Sequence, residues 1–290
     1  MVSRVFRGAR GFMPKTPRSF CAAAIGDPHV GSAHGLICPG FGFELNNSQA
    51  WSWEQWRRFW ADFHAFRGSD PFDLWINGDV VEGTKHRGEK LMDDLSMQCD
   101  AAATILESKC NDARRSGGEV FVTRGTDAHD NGHVAALFGR LVGAVQIGES
   151  TRAPHQWLLD YAGVRVILRH HPAKGGEYGG LKELEAEWLE HSKARGKAPP
   201  PTLLVTSHKH EGKYQYCAGL GGALRLSAWQ SPTGFAQKVV AGKCLHASIG
   251  GAFVRFTEGE FPEVKEWRKP IPMPPTATRA LSKPARSGKR

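Results

Sequence analysis

Five short apolar runs in this chain each end, within a few residues, in an aspartate or a histidine. Phe20–Ile25 runs into Gly26-Asp27-Pro28-His29, and Phe72–Asn77 into Gly78-Asp79. Glu119–Thr123 leads to Arg124-Gly125-Thr126-Asp127-Ala128-His129. Val164–Arg169 ends at His170-His171-Pro172, and Leu203–Thr206 at Ser207-His208-Lys209-His210. Apolar runs of this length, bounded by glycine or polar turns, read as buried strands. Of the 13 histidines, six fall in these five loops. Open α/β sheets gather their ligands at the carboxyl ends of strands. The chain is therefore constrained to a fold that can bring several strand ends to one place.

The segments between the runs supply helices. Residues 49–66 set Trp53, Trp56, Trp60 and Phe63 at helical spacing, with Ser48 placed to cap the start. That aromatic stripe reads as core packing rather than a platform for stacking bases. Residues 91–116 predict a long helix stopped at Gly117-Gly118, and 133–144 and 181–195 two more. Gln156–Tyr161 and Val164–Arg169 flank Ala162-Gly163, a hairpin signal. Residues 214–256 alternate around glycines and predict several antiparallel strands. Strand and helix alternate early and hairpins follow, so the expectation is an α/β protein: a mixed sheet, or a two-sheet sandwich, flanked by helices. A length of 290 residues allows one large domain or two. No apolar run approaches the roughly 18 residues that a membrane span needs.

The residue types in the five loops point to metal chemistry. A carboxylate and an imidazole two residues apart, Asp27 and His29, can face one cation from an extended loop. Asp79 can bridge two cations, since its two oxygens can face different ions. Histidines from two further loops complete both sets of ligands. Mixed imidazole and carboxylate ligation suits zinc, iron or manganese rather than calcium. Two such ions about 3.5–4 Å apart clamp a phosphoryl group and generate hydroxide from bound water. Glu82, three residues after Asp79, is a loop acid or a partner of the ligands. His34, Lys85, His86 and Arg87 lie near the motif loops, where they can meet phosphate or water. Asp130 is placed to orient His129. His64, His155, His191 and His246 carry no motif.

These motifs, in this order across residues 20–212, resemble those of the calcineurin-like metallophosphoesterase superfamily. The family pattern is Asp-x-His, Gly-Asp, Gly-Asn-His, a single His, then Gly-His-x-His. The resemblance implies a layered αββα metallophosphoesterase sandwich and two divalent transition-metal ions, of manganese, iron, zinc or nickel. It implies hydrolysis of a phosphomono- or phosphodiester by metal-activated hydroxide. The first metal would take Asp27, His29, Asp79 and His210. The second would take Asp79, the residue in the Asn position, His170 or His171, and His208. His129 matches the histidine that acts on the leaving group or stabilises the transition state, so His129 and Asp79 are the expected catalytic residues. Two departures stand out. The family Asn is missing, so either Thr126 or Asp127 supplies the oxygen, with Asp127 the better ligand chemically; the loop is similar to a Gly-Thr-x-Ala-His variant of phage-type members. Ser207 stands where the family has glycine. His170 is preferred within its pair because the family ligand lies two before the proline.

The charge is unevenly placed. The chain carries 38 Lys and Arg against 29 Asp and Glu. Residues 1–19 hold five bases and no acid, and 269–290 hold six bases, five prolines and no acid. The body, 20–268, is close to neutral at −2. The expected organisation is thus a basic arm (1–19), one catalytic domain (20–268) and a disordered basic tail (269–290). The ends offer contact with nucleic acid. They keep two alternatives open: a catalytically impaired nucleic-acid-binding or virion-associated protein on the same fold, and a nuclease acting on DNA ends. Six scattered cysteines without a CxxC pair fit a reducing compartment, and the expected location is the cytoplasm of a bacterial or phage-infected cell.

Overall fold

The computed structural model describes residues 3–4, 19–85, 90–130, 132–148, 151–172, 179–232 and 247–272. Most of both basic ends, and His86, Arg87, Cys244 and His246, lie outside the described residues.

The first half alternates strand and helix. β2 (Ser19–Ile25) leads to α1 (Asn47–Arg67), β3 (Phe72–Asn77), α2 (Leu95–Arg115), β4 (Val120–Thr123) and α3 (Gly132–Leu141). The hairpin of β5 (Gln156–Tyr161) and β6 (Val164–Arg169) follows, then α4 (Gly179–Arg195) and β7 (Thr202–Thr206). Four further strands follow among the described residues: β8 (Lys213–Cys217), β9 (Gly221–Arg225), β10 (Ser248–Thr257) and β11 (Glu263–Pro270). A two-residue strand, β1 (Ser3–Arg4), lies parallel to β5 at one sheet edge, within the segment expected to be a loose arm. Lys269 and Pro270, expected in the tail, belong to β11.

The strands form two mixed sheets, ordered β1-β5-β6-β7-β9-β8 and β11-β10-β2-β3-β4. Period-two alternation splits each strand between two environments. Ala22, Ala24, Trp75 and Phe121 face the other sheet, where they meet Trp157, Val166, Leu203 and Leu224. Cys21, Ala23, Ile25, Leu74 and Ile76 face the helices, packing with Phe59 and Phe63 of α1 and Ile105 of α2. On the far side, Ile167, Leu204 and Ala223 pack with Leu184 of α4. The result is a helix–sheet–sheet–helix sandwich, the αββα architecture expected. The aromatic stripe of α1 is core: Trp56, Phe59, Trp60 and Phe63 are buried, and Phe59 meets Trp229, Phe253 and Trp267 within 5.4 Å between ring centroids. No base could reach those faces.

Three details differ from the sequence expectation. Asn46, not Ser48, caps α1: its side chain accepts from the Gln49 N–H at 2.9 Å while the Gln49 side chain accepts from the Asn46 N–H at 3.2 Å, a reciprocal capping box. Ser48 lies inside the helix, its Oγ 2.8 Å from Ser231 Oγ. α2 starts at Leu95, capped by Asp94, because the Leu91 N–H bonds the Gly31 carbonyl instead. The strands after β7 are not all antiparallel: β9 is antiparallel to β8 but parallel to β7.

A buried polar chain crosses between the sheets. The Tyr161 hydroxyl donates to Asp73 Oδ2 at 2.5 Å, the Trp75 indole N–H donates to Tyr161 at 3.2 Å, and the Glu119 N–H donates to Asp73 Oδ1 at 2.7 Å. Removing one partner leaves a buried acceptor short, at about 1–3 kcal/mol. Tyr161→Phe is therefore expected to lower unfolding free energy by about that amount in urea melts, with metal binding intact. An unchanged midpoint would show that this link contributes nothing to the packing of the sheets.

Candidate metal centre

The parallel blocks β2-β3-β4 and β6-β7-β9 run in register, so their carboxyl ends lie side by side within each sheet. Asn77, the last residue of β3, ties the two blocks together. Its Nδ2 donates to the Arg169 carbonyl at 3.0 Å, and its Oδ1 accepts from Thr123 Oγ1 at 2.6 Å. Its main-chain oxygen accepts from His170 Nδ1 at 2.9 Å and Ser207 Oγ at 2.6 Å. All five motif loops consequently open onto one point.

The turns there are sharp. Asp27, His29, Asp79, His208 and His210 all have positive φ, between 44° and 70°. For non-glycine residues such backbone costs of order 1–3 kcal/mol each and persists where the surroundings over-determine it, typically at functional sites. Two glycines give the room. A Cβ on Gly78 would lie 2.5 Å from His170 Nδ1, and one on Gly125 would lie 2.2 Å from the Asp79 nitrogen.

Among the described residues, three sets of side chains bring ligand atoms within 4.8 Å of one another: Asp27, His29 and His210; His29, Asp79 and His129; and Asp79, His170 and His208. Asp27, His29, Asp79 and His170 are buried. His29 Nε2 and His210 Nε2 face each other at 3.2 Å, and His170 Nε2 stands 3.1 Å from Asp79 Oδ2. Asp27 Oδ1 is buried and accepts no hydrogen bond among the described residues, with His170 Nδ1 3.6 Å away. A buried carboxylate oxygen without a hydrogen bond and imidazole nitrogens turned on one another favour a positive charge held between them. The donor set of imidazole and carboxylate fits a divalent transition metal.

The charge balance of the side chains shows in their proton affinities. Burial pushes the Asp27 carboxyl up to about 6, against the pull of His170. Burial lowers the His170 imidazole, but Asp27 and Asp79 outweigh it and raise the ring to about 9. Burial opposes ionisation of Asp79 too, and the His170 hydrogen bond and charge overcome it, holding that carboxyl well below the usual range. Burial and the charges of neighbouring histidines lower His208 to about 4 and His210 to about 3. Both rings are therefore neutral at neutral pH and keep a lone pair for a cation.

Other candidates take different places. Asp127 lies outside the cluster: its carboxylate pairs with Arg124, and its side chain is 76% exposed. Thr126 points in, and its N–H and Oγ both donate to Asp79 Oδ1, at 2.6 and 3.0 Å. His171 is exposed and leans on His208, ring centroids 4.9 Å apart. His129 directs Nδ1 to the Glu82 carbonyl at 2.7 Å and sets its ring edge-on against His29 at 4.4 Å. Asp130, expected to orient His129, instead accepts from the Gly125 N–H at 3.1 Å, and burial raises its carboxyl to about 7. Lys85 is exposed, and the His34 N–H donates to Ser32 Oγ.

Glu82 turns out to be a central partner. It is buried, with its carboxylate 3.1 Å from His29 Nδ1 and accepting from Gln230 Nε2 at 3.1 Å. Gln230 and Asn77 carried no sequence signal, because each acts through a strand or loop distant in the chain. Ser207 had one, standing in a motif position otherwise held by glycine; its Oγ lies 2.9 Å from His170 Nδ1.

No family model matches the chain, and no curated protein matches it. Among solved structures it is similar to the phosphoesterase Yfce of E. coli, at 13% identity and a TM-score of 0.40, over 88% of this chain and 100% of that one. It is also similar to a dimetal phosphatase from Danio rerio, at 10% identity and 0.42, over 87% and 98%. Zinc-complexed Vps29 from Entamoeba histolytica aligns at 10% identity and 0.38, over 87% and 99%.

Proposed function

We propose that the chain is a metal-dependent phosphoesterase acting at the junction of its two sheets. The observation that supports this most is the convergence of Asp27, His29, Asp79, His170, His208 and His210 in contiguous ligand clusters. Asp27, His29, Asp79 and His210 would hold one cation, and Asp79, His170 and His208 a second. A cation pair so held neutralises phosphoryl oxygens and lowers the pKa of an attacking water.

The chain's own residues do the remaining work. The Glu82 carboxylate stands 3.1 Å from His29 Nδ1 and so leaves Nε2 as the ligand atom, an arrangement that typically governs metal affinity. The Asn77 carbonyl does the same for His170. His129, with Nδ1 committed to the Glu82 carbonyl, exchanges protons at Nε2 and is assigned to the leaving oxygen. Thr126 takes the place expected of an oxygen ligand and holds Asp79.

The test is metal analysis joined to turnover. Chelator-stripped protein reloaded with manganese is expected to carry two equivalents and to hydrolyse an aryl phosphodiester or phosphomonoester. Metal content near zero, with no heat of binding, would overturn the reading.

A further inference from the structure

We infer that the two cation positions are unequal, because Thr126 acts as a hydrogen-bond clamp on Asp79 and not as a ligand; this rests on the dinuclear reading above. On one side, Asp27, His29 and His210 converge, and Asp79 adjoins them through His29. On the other side, Asp79 meets only His170 and His208 among the described residues. The side chains that could add a fourth donor there are turned to other tasks. Asp127 is held by Arg124. His171 faces solvent against the His208 ring. Thr126 gives both its N–H and its hydroxyl proton to Asp79 Oδ1.

Two donations to one oxygen fix the rotamer of the shared carboxylate and leave Oδ2 toward His170 at 3.1 Å. The clamp thus serves both positions through Asp79 while supplying a ligand to neither. One position would take four protein donors, Asp27, His29, Asp79 and His210; the other would take three and stay open for water or a substrate oxygen. Open three-ligand sites are the arrangement that catalytic metals use, and closed sites the structural one. The tight position would remain filled, and the loose one would load only as metal becomes abundant.

The test is titration of the chelator-stripped full chain with Mn²⁺ alone, followed by calorimetry and electron paramagnetic resonance. Two steps are expected, separated by at least about tenfold in affinity, the smallest penalty typical of an altered ligand environment. The first equivalent should show the spectrum of an isolated ion and the second should bring exchange coupling. His208→Ala should delete the weak step and spare the strong one. Thr126→Asn, which extends a neutral amide oxygen beyond the reach of the threonine hydroxyl, should tighten the weak step. Thr126→Val should weaken both steps by up to about tenfold, and Thr126→Ser should restore them. Two steps of equal affinity, or a Thr126→Val change that deletes only the weak step, would overturn the inequality while leaving the dinuclear reading intact. Absence of any manganese uptake would overturn that reading itself.

Discussion

Asp79→Asn is expected to release both cations and to lower phosphoester turnover by more than about 10²-fold. Asp79 contributes to two of the three ligand clusters found among the described residues, and no other carboxylate there does. It is 1% exposed and sits between His170 and the two Thr126 donors. An amide in its place brings N–H protons where ligand oxygens are needed and cannot accept on both sides. Glu82→Gln is the control that separates ligation from support. Its carboxylate touches His29 Nδ1 and Gln230, so the change should cost about 10–100-fold in metal affinity or activity, the usual effect of losing a partner behind a ligand. Elemental analysis of both variants beside their kcat/KM values decides the matter. Equal and small losses would show that Asp79 is not the shared ligand.

His129→Ala is expected to keep both metals yet lose about 10²–10⁴-fold on substrates with poor leaving groups, the range of a positioned acid–base group. The loss should shrink for nitrophenyl esters, whose departing oxygen needs little protonation. The geometry motivates the difference. His129 Nδ1 is held by the Glu82 carbonyl, leaving proton exchange to Nε2 beside the centre. Burial and the nearby His29 hold the ring below the ordinary histidine range, so the anionic substrate has to draw in the proton that the ring then delivers. If His129→Ala strips a metal, or costs the same on good and poor leaving groups, His129 is a ligand or a structural residue and the acid role falls.

Both experiments turn on residues whose motifs are legible in the amino-acid order, because each motif is local. A strand followed by a glycine and a sharp turn leaves a signature within a few residues, and Gly78 and Gly125 are there because a Cβ would strike His170 or Asp79. The buried strands β2, β3 and β4 are equally visible, since burial on both sides leaves a continuous apolar run.

Local pattern alone thus establishes the layered α/β class, the strand ends that carry the chemistry, and the types of ligand they offer. It leaves open each choice that depends on what a loop meets across space. Thr126 and Asp127 are adjacent and both bear oxygen; the turn of their loop gives Asp127 to Arg124 and solvent and Thr126 to Asp79. His170 and His171 differ because one follows the strand inward to Asn77 and the other leaves it outward. The start of α1 fell to Asn46 because its side chain and that of Gln49 could bond reciprocally. Glu82 and Gln230, 148 residues apart, meet only once the sheets have packed. Strands and turns are encoded within a few neighbouring residues, whereas ligation and hydrogen bonding at the centre are contacts between distant segments, and only the packed sandwich brings those within reach.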